Sequence, residues 1–548
     1  MKRPRTFNGR LLVALIAALA VSGCGGSSGP PSRSTAGNPP PTTTPPPSSG
    51  PTWTAGVFQP ASTFKDRCQV VRTGVDIEGN PFTDQAGSTL EENFWLRSWT
   101  NETYLWNTEV VDRDPAAFSS RLAYFAQLRT FALTPSGKEK DDFHFSQPTT
   151  EFLERRNSTP RAGYGAQIVA FSTTVPRDFR IQYTEPNSPA SEEIMGLANF
   201  VRGARILEVD GIDVVNAPSQ AQVDLINDAL FPLNAGEQHT FVVLDPGAAM
   251  PRTVILNSVN IAPKPVNRIR VIDTPTGKVG YILLTTFSPF ATELDLANAF
   301  ASLAAEGVSD VVLDLRYNGG GLVAVAAQLG YMVAGPARTS GRTFEDLRFN
   351  AAAGGRNPVT GETDNAIPFY STGLGFSLIN GAPLSALNLG RVYILTTAET
   401  CSASEAVING LRGIDVEVVL IGETTCGKPF GFYPTDNCGE TYFTIQFQGV
   451  NEKGFGDYTD GFIANNSNAA FGVRAPGCAV TDDYSRELGD ENEAMLAAAL
   501  QYRSTGSCPV PPVTIGTLSV DASLASGPID PAPNQNVMRT NRDMRLPD

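Results

Sequence analysis

The feature that most restricts this chain is a series of short apolar runs separated by helical patterns between residues 266 and 500. The runs are Val279-Gly280-Tyr281-Ile282-Leu283-Leu284, Asp310-Val311-Val312-Leu313-Asp314-Leu315, Arg391-Val392-Tyr393-Ile394-Leu395 and Val416-Glu417-Val418-Val419-Leu420-Ile421. Helical patterns near 292–306, 322–334 and 402–412 lie between them. Strands alternating with helices predict a largely parallel sheet covered by helices. Sites in such sheets lie at the carboxyl ends of the strands, so the residues that follow each run carry the chemistry.

Three stretches stand at those ends. Arg316-Tyr317-Asn318-Gly319-Gly320-Gly321 follows the second run. Its glycines let backbone N–H groups approach a ligand, and the helix start that follows adds partial positive charge. A phosphate loop would need the spacing and lysine of a P-loop or a GxGxxG, and neither is present. After the third run, Thr400-Cys401-Ser402-Ala403-Ser404-Glu405 opens a helix. Here Ser402-x-x-Glu405 is also a capping box, which requires no catalytic role. The fourth run delivers Gly422-Glu423-Thr424-Thr425-Cys426-Gly427-Lys428, a lysine after glycine at a strand end. Only two histidines, His144 and His239, occur in 548 residues. A His-rich metal site is excluded, any Ser-His-Asp triad must use one of the two, and both lie far in sequence from Ser402.

Taken together and in this order, DLRxNxGG, SASE and TxGK resemble the C-terminal processing peptidases, or tail-specific proteases, which are Ser-Lys endopeptidases. The resemblance covers roughly residues 90–500. It implies Ser402 as nucleophile, Lys428 as base, and an oxyanion hole from Gly320 or Gly321 with the amide of Ala403. The family commonly carries glutamine four residues after the lysine to orient it, whereas Phe432 stands here. The third catalytic member is therefore unassigned, and Gln446, in the apolar strand 442–447, is the candidate orienting residue. The physical reading agrees. A serine at a helix N-terminus has amides directed at its reaction centre, each worth about 3–4 kcal/mol when essential. A lysine acts as base only when neutral, so its pKa must fall by roughly three units, which burial behind Phe430 and Phe432 would supply.

Ahead of this core, residues 162–245 show short alternating runs separated by turn clusters. Ser188-Pro189-Ala190, Gly196-Leu197 and Arg202-Gly203-Ala204-Arg205-Ile206-Leu207-Glu208-Val209-Asp210-Gly211 resemble, in that order, the PDZ domains of bacterial proteases. Such a domain takes an extended peptide as an added strand and holds its carboxylate with loop amides. The candidate peptide-binding loop is Gly163-Tyr164-Gly165-Ala166. Between about 85 and 130, Phe94, Trp95, Trp99, Tyr104, Trp106, Phe118, Tyr124, Phe125 and Leu128 recur at helix-like spacing, as in the aromatic core of a helical cap.

Lys2, Arg3, Arg5 and Arg10 precede an 11-residue apolar run, Leu11 to Val21, and then small residues. This is the order of a secretory signal peptide. Val21-Ser22-Gly23-Cys24 resembles the lipobox of bacterial lipoproteins, with Cys24 the lipidated new N-terminus. Nine prolines between Pro30 and Pro51, with almost no apolar side chains, make the next segment an extended tether. Six further cysteines suit disulfides in an exported chain, and Cys426 with Cys438 is the expected pair, stapling the lysine loop.

With 41 Lys+Arg against 56 Asp+Glu, a net charge of −15 argues against nucleic acid. The reading is a multidomain α/β chain. It has a signal peptide (1–23), tether (24–58), helical N-terminal cap (59–160), PDZ-like β domain (161–248), α/β catalytic core with a largely parallel sheet (249–510) and loose tail (511–548). Its expected partners are a polypeptide, its C-terminal tail included, and a membrane through lipid on Cys24, on the outer membrane facing the periplasm in a Gram-negative host. No cofactor or metal is implied. The competing reading is an inactive, protease-shaped peptide-binding lipoprotein, favoured by Phe432.

Overall fold

The computed structural model describes residues 50–510 and the backbone of Arg542–Asp543. The expected signal peptide, Cys24 and most of the expected tether and tail lie outside these residues.

The first described segment is built around α1 (Thr89–Thr103), whose cap residue Ser88 accepts the Glu91 N–H. Phe94, Trp95 and Trp99 pack with Tyr124, Phe125 and Leu128, and with Tyr442 from much later in the chain. The aromatic core is as the spacing predicts, but the helix content is lower. Beyond α1, only Arg121–Phe125 and Thr149–Arg156 are α-helical among the described residues up to 160. Pro115, Pro135, Gly137 and Pro148 interrupt the rest by removing donors and favouring turns.

The next domain is an antiparallel sheet of β1 (Ala166–Ser172), β2 (Asp178–Thr184), β3 (Arg205–Val209), β4 (Gln238–Leu244) and β5 (Arg252–Asn257), with α2 (Gln220–Leu230) before β4. The order is β5-β4-β3-β2-β1, which leaves β1 at an edge. The domain has its own core, including Ile181, Phe200, Ile206, Phe241 and Val243. It runs past the expected boundary at 248, because β5 alternates buried Val254 and Leu256 with exposed Thr253 and Ile255 and pairs along β4.

The core sheet runs β6 (Val266–Thr274), β7 (Gly277–Leu284), β8 (Asp310–Asp314), β9 (Arg391–Thr396), β10 (Glu417–Gly422), β11 (Gly477–Ala479) in that spatial order. Only the β6–β7 pair is antiparallel. Side chains alternate between two covered faces. Ile282, Leu313, Ile394 and Leu420 meet α3 (Ala291–Ala305), α4 (Val323–Ala334) and α5 (Ala403–Gly413). Tyr281, Val312, Tyr393 and Val419 meet α6 (Ala494–Thr505). Each such side chain contributes roughly 1.5–3 kcal/mol by burial, which makes this sheet the rigid platform of the molecule. Glu440–Phe443 pairs with Phe145–Pro148 and so brings the N-terminal segment against the core.

Three disulfides close the chain: Cys68–Cys438, Cys401–Cys426 and Cys478–Cys508. The expected Cys426–Cys438 pair is therefore wrong. Parallel pairing aligns Thr396 with Gly422, so Cys401 and Cys426 leave adjacent strand ends at nearly equal offsets. Cys438 instead faces the N-terminal segment.

Candidate active site

Strands β8, β9 and β10 end side by side, and their trailing loops are bound into one another. Asn318, in the glycine-rich loop after β8, accepts the Gly320 N–H on its side chain at 2.9 Å. Its backbone carbonyl takes the Cys401 N–H at 3.1 Å and the Ser404 hydroxyl at 2.9 Å. Gly321 has φ +138°, and a Cβ there would lie 2.2 Å from the Ser288 nitrogen, so the third glycine of the motif is obligatory.

Ser402 caps α5 with φ +61°, a conformation that costs a non-glycine residue about 1–3 kcal/mol and so must be held by its surroundings. Glu405 supplies that hold. Its Oε2 takes the N–H of Ser402 at 3.0 Å and of Lys428 at 2.8 Å, so the backbones of both residues converge on one atom. Its Oε1 takes the Thr425 hydroxyl and the Gly427 N–H. Burial pushes this carboxyl up from the usual carboxylate range, and the hydrogen bonds from Thr425, Lys428, Gly427 and Ser402 pull against it. The capping role and the proposed catalytic one therefore coincide: the acid that caps the helix also fixes the lysine loop.

Lys428 is fully buried. Its Nζ lies 4.5 Å from the centre of the Phe432 ring and 4.7 Å from that of Phe143. Desolvation lowers its pKa to about 7, with Asp141 and Glu405 acting in the opposite sense. Phe432 thus covers the lysine where an orienting amide was expected. Phe430 packs instead on Trp106. Gln446, the expected orienting residue, is buried; its side-chain carbonyl accepts the Tyr433 N–H at 2.7 Å and its amide nitrogen donates to the Thr103 hydroxyl at 3.3 Å.

Asp141 and Phe143 were missed from sequence, where they read as part of a polar loop. Asp141 is buried and accepts the Tyr104 hydroxyl at 2.6 Å and the Phe143 N–H at 3.1 Å. The "DDF" of this loop carried no motif; only strand pairing at Phe145–Pro148 brings it to the site. His144, next along, is stacked 3.8 Å from Phe125, with Nε2 donating to the Phe125 carbonyl and Nδ1 on the Thr444 hydroxyl. Burial lowers its pKa, so it is a neutral core residue with both nitrogens engaged. His239 pairs with Asp210 in the β domain.

Of the candidate oxyanion donors, Gly320 has its N–H committed to Asn318, which leaves Gly321 and Ala403. Ala403 opens α5, so its N–H has no partner within the helix. The backbone of Arg542–Asp543 lies as a short parallel strand beside Gly321–Leu322. A cavity of about 800 Å³ has walls that include Ala324, shortly after Gly321, and Tyr433, shortly after Lys428, with Leu347, Ile367 and Tyr370.

In the β domain, Gly163 belongs to a two-stranded pairing with 259–261. Tyr164 is a core residue whose hydroxyl donates to Ala229 at the end of α2. Gly165 has φ +76°, and Ala166 starts edge strand β1. Of the expected loop, Tyr164 thus has a packing role and does not offer its side chain to a peptide.

Residues 278–434, which hold all of these loops, match the model of peptidase family S41. The segment 278–434 is thus similar to peptidase family S41. The chain is 32% identical over 237 residues to carboxyl-terminal-processing peptidase 1, chloroplastic, of Arabidopsis thaliana, covering 42% of this chain and 41% of that one. It is 25% identical over 358 residues to the chloroplastic C-terminal processing peptidase of Tetradesmus obliquus, covering 62% and 65%. The matches thus span less than two thirds of either relative. A crystal structure assigned to an S41 protease from Bacteroides fragilis shares the fold, with a TM-score of 0.57 at 24% identity, over 75% of this chain and 97% of that one.

Proposed function

We propose that this chain is a serine endopeptidase that uses Ser402 and Lys428 on polypeptide substrates. The observation that carries the reading is Lys428, wholly buried beside the loop that presents a strained Ser402, with a pKa brought down to about 7. A lysine in that state is neutral in a large fraction of molecules near neutrality and can accept a proton. Lys428 Nζ takes the Ser402 hydroxyl proton as Oγ attacks the scissile carbonyl. The N–H groups of Gly321 and Ala403 receive the developing oxyanion. The lysine then hands its proton to the departing amine; neutral again, Lys428 takes a proton from the water that attacks the acyl carbon and returns it to Ser402 Oγ as the acid product leaves.

The extended segment beside Gly321–Leu322 supports a peptide bound as an added strand at that edge, with its side chains facing the cavity near Ala324 and Tyr433. The β domain, with β1 at its edge and the Gly163–Ala166 loop ahead of it, is the PDZ-like element that captures a chain terminus through backbone amides. Export on the signal peptide and a lipid on Cys24 anchor the enzyme to the bacterial envelope. No described helix is long and apolar enough to cross a membrane.

Cleavage of a denatured polypeptide tests the reading. Ser402→Ala and Lys428→Ala should each abolish turnover with the fold intact, and the double variant should be little worse than either, since the pair acts as a unit. Wild-type protein without cleavage activity would instead favour the inactive peptide-binding lipoprotein.

A further inference from the structure

Cys401 immediately precedes Ser402, and Cys426 lies two residues before Lys428, and the two are joined as a disulfide with Cα atoms 5.2 Å apart. This bond contributes little to the overall topology, because β9 and β10 are already paired over six register positions from Arg391–Glu417 to Thr396–Gly422. What it spans is the part those strands leave open, the loops beyond their ends. Hydrogen bonds cross between the same loops, among them the Cys426 N–H on the Thr400 carbonyl and the bonds through the carboxylate of Glu405. Those hydrogen bonds must hold a serine at φ +61° and a Gly427 at φ +90° whose Cα faces the Thr459 carbonyl too closely for any side chain.

We infer that the Cys401–Cys426 disulfide is the positioning bond of the catalytic pair, and that thiol–disulfide exchange at this bond switches the peptidase. The inference rests on the Ser402–Lys428 reading. Cys401 is buried and Cys426 half-buried, so attack comes at Cys426. A thiolate of a dithiol reductant bonds to Cys426 Sγ, and the S–S bond breaks with its electron pair on Cys401 Sγ, which takes a proton. The reductant's second thiol then displaces Cys426, which also leaves as a thiol. The reductant departs as its own disulfide, two electrons having moved to the enzyme. In the reduced state the lysine loop is free to move from behind Phe143 and Phe432. Water reaches Nζ, and the charged form regains its solvation. The charged groups that act on Lys428, Asp141 and Glu405, both favour protonation and reinforce that change.

The experiment compares wild type, Cys401→Ala/Cys426→Ala and the remote pair Cys478→Ala/Cys508→Ala, with Ser402→Ala as reference. We expect the site-pair variant to lose at least tenfold in kcat with KM within about twofold. The rising limb of its kcat/KM profile should move to higher pH by about one unit. The remote-pair variant should keep the wild-type pH profile. Where the double variant does not fold, wild-type enzyme titrated with dithiothreitol gives the same answer: activity should fall in step with alkylation of Cys401 and Cys426 and return on reoxidation. An unchanged kcat and pH profile in a folded site-pair variant, or activity that survives full alkylation of Cys401 and Cys426, would overturn the positioning role. If Ser402→Ala retains activity, it is the underlying Ser-Lys reading that fails, and the two failures are thereby told apart.

Discussion

Lys428 is the residue at which stability and activity oppose one another. Its folded-state pKa of about 7 lies below the value near 10.5 of an exposed lysine. Between those pH values the unfolded chain binds the proton that the folded chain has released, so stability rises with pH at about 1.4 kcal/mol per unit from this one group. Below pH 7 the lysine is charged in both states and the full cost of burial, roughly 5 kcal/mol, is present. Lys428→Met should therefore be inactive yet more stable than wild type at pH 6. The difference in denaturation midpoint should shrink as pH approaches 10; a Met variant less stable at pH 6 would show that the lysine is stabilised by contacts that outweigh its desolvation. The same group sets the activity profile, which should rise through about pH 7 as Lys428 becomes neutral. Asp141 favours the charged form, so Asp141→Asn should shift that rise to lower pH. His144→Gln is a poor control here, because the ring is stacked in the core next to Phe143 and its loss disturbs the lysine's cover.

At the scale of elements, what decides the site is how strand ends align. The three helices and four strands named from the sequence were legible to within about two residues, because an apolar run between two helices has no other way to bury both faces, whereas β6, β11 and α6 were not read. Ser402, Lys428 and the glycine loop could be named because they follow those strands directly. Asp141 and Phe143 could not, since they reach the lysine through a strand pairing between Phe145–Pro148 and Glu440–Phe443 that has no local signature. The Cys401–Cys426 bond was readable in principle. Two cysteines at nearly equal distances past adjacent parallel strands must meet, whereas the expected Cys426–Cys438 pair followed nearness in sequence alone. The same alignment makes a prediction at Gly321, where the loop after β8 crosses the segment at Phe287–Ser288 with no room for a methyl group. Gly321→Ala must displace backbone and should remove activity while leaving the sheet formed. Full loss of kcat with near-native far-UV circular dichroism is the expected result, and retained turnover would take Gly321 out of the oxyanion hole.

At the scale of the whole molecule, one acid is a prominent link between the β domain and the catalytic core. Asp482 accepts from Arg202 of the β domain at 2.7 Å and from Arg316 at 2.6 Å, and it also takes the Tyr317 hydroxyl. Arg316 in turn is buried against Asp314 and Glu493 and leads directly into the glycine-rich loop. Arg202 and Arg316 hold the Asp482 carboxyl below the usual range despite its burial, so its contribution is present above the unfolded value near 4 and lost as pH falls through the folded one. Removing Arg202 leaves Asp482 with Arg316 but deletes the only arginine that reaches this acid from the β domain. Breaking a buried pair from one side costs about 3–5 kcal/mol, and the surviving partner places Arg202→Met at the lower end. Because the lost contact lies between two domains with separate apolar cores, the damage should fall on their coupling and not on either fold. Hydrogen exchange should then show faster opening confined to the segments around 202–205 and 482–488, with β8 and β9 protected as in wild type. If protection is lost uniformly across the core sheet, Arg202 belongs to the catalytic core's own stability. If nothing changes, the two domains are held by packing such as the Tyr183–Tyr317 stack at 5.8 Å, and the arginine's charge is incidental to their union.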